Sequence, residues 1–162
     1  MTSEYTHKPV GGVARVVLHF ADTLGGAIFS SEGCRATFTE AGIEVSLVDD
    51  SSAYVEQMSA EQGRLVVRHT LHLVAQRNDA EAWLAAPFAE RATYEGVMAE
   101  VEMNDGRRVI VGCSAELYDE QPLRLSSLAV ESGAALRDVP RVVLDLESHD
   151  RAFAAIIVNQ EM

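Results

Sequence analysis

The longest regular alternation in the chain runs from Arg64 to Gln76, R-L-V-V-R-H-T-L-H-L-V-A-Q. Leu65, Val67, His69, Leu71, Leu73 and Ala75 share one parity. Arg64, Arg68, Thr70, His72 and Gln76 share the other, interrupted only by Val66 and Val74. A period of two with frequent β-branched residues predicts a strand, whereas a helix would mix Arg68 and His72 into the apolar stripe. Neighbouring parities point to opposite faces of a strand, so His69 and His72 diverge and cannot chelate one ion. His69 is expected on the apolar face with an internal hydrogen bond, and His72 toward solvent or a partner.

The same reading extends along the chain. Residues 1–9 form a polar arm, and residues 10–162 a single β-rich domain. Val13 to Phe20 is a strand with Ala14, Val16, Leu18 and Phe20 on its apolar face and Arg15, Val17 and His19 on the other. Ala21 to Gly33, rich in Gly and Ser, reads as a loop with Ala27 to Phe29 packing down. Arg35 to Thr39 and Ile43 to Val48 read as the arms of a hairpin with Gly42 at a left-handed position. A short strand is expected from Ala53 to Met58. Asn78 and Glu81 outline a capping box for one helix around residues 79–92, with Trp83, Leu84 and Phe88 facing the core. Pro87 should end that helix or start its second turn.

Beyond it, Val97, Ala99, Val101 and Met103 alternate with Met98, Glu100 and Glu102. Asn104-Asp105-Gly106 is a hairpin signal, and Val109, Val111 and Cys113 continue the apolar face on the return. Leu123 and Leu125 share one parity while Leu128 and Val130 share the other, a phase slip at Ser126-Ser127 that predicts a β-bulge. Val142, Leu144 and Leu146 oppose Arg141, Asp145 and Glu147 in the next strand, and Phe153 to Val158 forms a last one. The fold class that follows is mainly β (α+β), a largely antiparallel sheet folded as a sandwich or barrel with one packed helix.

Composition narrows the function more than the fold. The net charge is -12, from 25 acids against 13 bases; such a surface repels phosphate backbones, so nucleic acid is not an expected partner. No apolar run reaches the roughly 18 residues of a membrane span, and the N-terminus lacks the pattern of a signal peptide. The expected location is therefore cytoplasmic or within an assembled virion. Cys34 and Cys113 sit in apolar runs and are expected reduced and buried, a disulfide between them being the alternative.

Candidate chemistry is sparse. Gly11-Gly12 and Gly25-Gly26 match neither a dinucleotide fingerprint nor a P-loop, no serine occupies a nucleophile elbow, and Cys34 has no adjacent histidine. Asp145, Glu147 and His149 in D-L-E-S-H share one strand face at about 7 Å per step, too wide for one cation without distortion. They read as a solvated face, as do Asp49-Asp50 and Glu100/Glu102. No catalytic, cofactor-binding or metal-ligating residue is assigned.

Three successive segments carry a resemblance: H-T-L-H-L-V-A-Q-R-N-D-A-E-A-W-L, Y-E-G-V-M-A-E-V-E-M-N-D-G-R-R-V-I-V-G, and Q-P-L-R-L-S-S-L-A-V-E-S-G with P-R-V-V-L-D-L-E-S. Across residues 69–158 their order and texture resemble small tail-associated structural proteins of phages and prophages. The resemblance implies a non-enzymatic assembly subunit that forms homo-oligomers or rings and contacts other structural proteins, without transferring any functional residue. The alternative is a small-ligand-binding β module using a sheet face or barrel mouth lined by His69, Trp83 or Tyr94.

Overall fold

The structure, a computed structural model, describes residues 11–48, 51–76, 86–114, 121–137 and 140–158. The polar arm, the capping box at Asn78 and Glu81, Trp83 and Leu84 lie outside these residues. Within them, β1 (Val13–Phe20), β2 (Leu24–Ser30), β3 (Gly33–Phe38), β4 (Ile43–Glu44), β5 (Ala53–Glu61) and β6 (Arg64–Gln76) precede α1 (Ala86–Tyr94). After it come β7 (Val97–Met103), β8 (Arg108–Val111), β9 (Arg124–Glu131), β10 (Arg141–Asp150) and β11 (Ala155–Ile156). All strand pairs are antiparallel. Among the described residues no helix is long and apolar enough to cross a membrane.

The strands fall into sheets of order β11-β8-β7-β1-β4 and β5-β6-β10-β9, with β2-β3 as a separate hairpin. Two junctions join the larger sheets. Past β4 the chain crosses to the end of β6, where Leu47 bridges Ala75 and Val48 N–H donates to Val74 O at 2.9 Å. On the other side, Val97 and Leu123 exchange two backbone hydrogen bonds of 2.8 Å. The circuit β1, β4, β6, β10, β9, β7 therefore returns to β1, and the sheets close as a barrel. Its interior holds Val16, Leu18, Leu71, Leu73, Val101 and Leu144, and Phe88 and Ala92 of α1 plug one end. There Phe88 meets Phe20 at 5.7 Å between ring centres.

Period-two alternation accounts for most of this interior. In β10, Val142, Leu144 and Leu146 are buried while Arg141, Asp145 and Glu147 are not. The predicted bulge is present: Asp145 opposes Ser127 and Leu146 opposes Leu125, leaving Ser126 as the extra residue. The Asn104-Asp105-Gly106 hairpin joins β7 to β8 as predicted, with Gly106 N–H bonded to Met103 O at 3.0 Å.

Several expectations fail for a common reason. Ala21 to Gly33 is not a loop: after a single 3-10 turn it forms β2 and begins β3. Residues 35–39 pair with β2, not with residues 43–48, and Ile43 pairs with Leu18 of β1. The β2–β3 hairpin packs on the outer face of β7–β8, so Met98, Ile110, Cys113 and Cys34 form a second buried cluster. Cys113 thus lies on the side opposite Val109 and Val111, and His19 is buried where a polar face was expected. Both cysteines are buried, and no disulfide joins them. Ala14 is exposed because the β1–β7 register shifts between Val13 and Arg15. The expected strand from Phe153 to Val158 shortens to β11, and β5 runs three residues beyond Met58, to Glu61. Gly42 does not have a positive φ. It is needed for space, since a Cβ there would lie 2.4 Å from Val17 Cγ1 and 2.5 Å from His19 Cε1.

Candidate functional site

The barrel end opposite α1 collects most of the buried polar side chains. β6 and β10 place His69 and Ser148 directly across from each other on inward parity, and β10 ends on inward-facing Asp150. β5 contributes Tyr54 and Glu56 from the neighbouring strand, where Glu56 is the cross-strand partner of His69. Ser114, just past β8, completes the set. His69 is 2% exposed and Asp150 7% exposed, so the cluster lies inside the barrel wall.

Two hydrogen bonds orient His69. Its Nε2 donates to the Ala152 carbonyl, which can only accept, at 3.1 Å. Nδ1 is hydrogen-bonded to the Tyr54 hydroxyl at 2.6 Å. Ser114 Oγ donates to Asp150 Oδ1 at 2.6 Å, and the Arg151 backbone N–H donates to the same oxygen at 2.6 Å. Asp150 Oδ2 stands 3.9 Å from His69 Nε2. In this order Asp150, not His69, meets the serine. Burial, and next the charge of Glu56, hold the Tyr54 phenol far above its ordinary ionisation range. Tyr54 stays neutral, its hydroxyl bonded to His69 Nδ1 and under the charge of Glu56.

Over this cluster opens a cleft of about 610 Å³ between β5, the β7–β8 turn and the Phe153–Ile156 segment. Its apolar walls include Val13, Met103, Val109, Phe153 and Ile156, and its floor includes Tyr54 and Glu56. Asp105 on the rim is held below the usual carboxylate range by the Arg107 backbone N–H, and pairs with the Arg107 guanidinium at 3.0 Å. His69 lies behind Tyr54 and does not line the cleft. Tyr94, 77% exposed at the end of α1, belongs to the opposite end of the barrel. Of the residues expected to line a ligand site, Trp83 lies outside the described residues.

No family model matches the chain, and no curated protein or solved structure shows similarity to it. The geometry therefore stands on its own.

The outer face of β10 carries the other set of candidates. Asp145, Glu147 and His149 do share that face; cross-strand partners draw Asp145 away, while His149 reaches Glu147. Asp145 takes His72 at 2.6 Å and Ser127 at 2.9 Å. Glu147 takes Arg68 at 2.8 Å, with His149 at 3.5 Å. The arrangement is a ladder of opposite charges across strands, and among the described residues no group of three or more His, Cys, Asp or Glu is placed to hold a metal ion. His72 thus pairs outward while His69 binds inward.

Two features were missed by reading the chain. Asp150 continues the inward parity of Leu144 and Leu146, a signal visible had the alternation been followed past Glu147. The second is His19, whose ring stacks on Phe38 at 3.7 Å and whose Nε2 meets Glu100 at 3.2 Å. That bond depresses the Glu100 carboxyl below its ordinary range. Nothing local to His19 announces it, because Phe38 arrives with the β2–β3 hairpin.

Proposed function

We propose that the protein is a non-enzymatic structural subunit that associates with further copies of itself through the edges of its four-stranded sheet. The observation that carries this reading is the uncovered β5 edge. Nine-residue β5 pairs only with β6 among the described strands, and the β5–β6 hairpin continues past the barrel core with Val55, Met58 and Leu65 at 53%, 42% and 56% exposure. An unpaired edge is a template for another strand unless bulges, proline or inward charges blunt it; β5 contains no proline and no register shift, and its inward charge, Glu56, leaves the projecting stretch from Gln57 to Glu61 open. At the other end of the same sheet stands β9, joined to β7 through the Val97–Leu123 junction at its start and with Val130, near its far end, 52% exposed. Strands alternate in direction across the sheet, so β9 of one copy would meet β5 of the next antiparallel. Such a head-to-tail contact generates a ring or a filament. Assignment to phage or prophage tails rests on the resemblance over residues 69–158 alone.

Light scattering coupled to size exclusion, from low to high micromolar protein, tests the reading. A discrete oligomer that falls to monomer in Met58→Asp/Leu65→Glu is the expected result. A strict monomer throughout that range overturns it. A second reading, a small-ligand-binding β module, is favoured by one observation, the cleft at the barrel mouth.

A further inference from the structure

The mouth cleft is lined by two carboxylates, Glu56 and Asp105, and two arginines, Arg107 and Arg108, whatever the assembly state. Of the carboxylates, Asp105 is paired with Arg107. Arg108 also lowers the ionisation range of Glu100 on the neighbouring strand. Glu56 makes no ion pair among the described residues. It is half-buried and accepts the Ala154 backbone N–H at 3.1 Å, the one donor that the structure gives it among the described residues. A carboxylate has about four acceptor positions, and a half-buried one short of donors favours a cation that brings them. The neighbouring walls are apolar, and Phe153 presents a half-exposed ring. An ammonium donating to Glu56 would fill the acceptor positions that the Ala154 N–H leaves open.

We propose that this cleft binds a small organic cation, its ammonium group against Glu56 and its apolar body against Phe153, Ile156, Met103 and Val109. Apolar walls with a few convergent polar groups are the usual makeup of a small-molecule site, and the ring of Phe153 adds attraction for positive charge. Selectivity follows from the charge: a neutral or anionic molecule of the same shape gains the walls but not the carboxylate.

Titration calorimetry of the full chain with phenethylammonium, phenethyl alcohol and phenylacetate reads this directly. The expected order is ammonium over alcohol over carboxylate. Glu56→Gln, which keeps an acceptor for the Ala154 N–H, should weaken the ammonium about tenfold, one charge contact in a half-buried site. The alcohol should be little changed. Phe153→Ala should weaken all three, and Glu61→Gln, on the projecting end of the hairpin, none. Equal affinity for ammonium and alcohol, insensitivity to Glu56→Gln, or no saturable binding by any probe overturns the proposal. These outcomes are separate from the oligomeric state.

Discussion

At the residue scale, the contact between Tyr54 and His69 dominates the energetics of the barrel mouth. Removing the hydroxyl in Tyr54→Phe leaves His69 Nδ1 without its partner inside the wall, and the cost of an orphaned buried polar group is about 1–3 kcal/mol. Urea unfolding should show that loss as a lower midpoint at unchanged slope. The raised ionisation of Tyr54 fixes a sign: the folded state favours the neutral phenol, so the contribution is complete below the ordinary value of 10 and is lost as pH rises beyond it. Glu100 behaves oppositely. Its carboxyl is depressed below 4.5, chiefly by the bond from His19, so it stabilises the fold above that pH and ceases to as pH falls below. Glu100→Gln should cost about 1 kcal/mol at neutral pH, allowing for partial exposure. Stability curves of variant and parent should converge in acid; parallel curves between pH 6 and 3 (roughly the carboxylate range) would refute the assignment. The parity of His69 was readable along the chain, but its partners were not, since Tyr54 lies 15 residues away and Ala152 lies 83 away.

At the element scale, sharp turns and close approaches make separable demands. Gln62 and Gly63 both have positive φ, at 50° and 79°, which matches the tight two-residue turn whose twist suits a hairpin. Nothing lies within 4 Å of a Cβ at Gly63, so Gly63→Ala meets only the left-handed backbone penalty, about 1 kcal/mol. Gly42→Ala meets Val17 and the His19 ring instead and should cost more, about 1–3 kcal/mol as for overpacking. Thermal melts of the two variants rank them; an order with Gly63→Ala the more damaging would contradict the geometry. The long strand, the β7–β8 hairpin and the Ser126 bulge were all legible because each leaves its mark within a few residues. The β2–β3 hairpin was not. Its glycines and serines suit a loop, and it becomes strand because Met98 and Ile110 offer an apolar outer surface for it to cover. Fully burying two such side chains contributes about 1.5–3 kcal/mol each.

For the whole molecule, the closed circuit of strands has a mechanical consequence. No barrel strand can leave without breaking pairings on two sides, so helix plug, barrel and outer hairpin should unfold together. Far-ultraviolet circular dichroism and tyrosine fluorescence should give coincident urea transitions. Phe88→Ala, which empties the plug between α1 and Phe20, should cost about 3–5 kcal/mol and lower both transitions alike. Two resolved transitions would mean that the outer hairpin folds as a separate unit.

The sequence alone determined which residues of the long strands alternate, where the β7–β8 hairpin turns and where β9 changes phase, because covalent geometry sends successive side chains to opposite sides of a strand wherever it lies. It could not determine which strands become neighbours. Closure through Leu47–Ala75 and Val97–Leu123, a second layer over β7–β8, and the meeting of Tyr54, His69, Ser114 and Asp150 were decided by tertiary structure. Each joins residues distant along the chain, and a face becomes interior only when another element covers it.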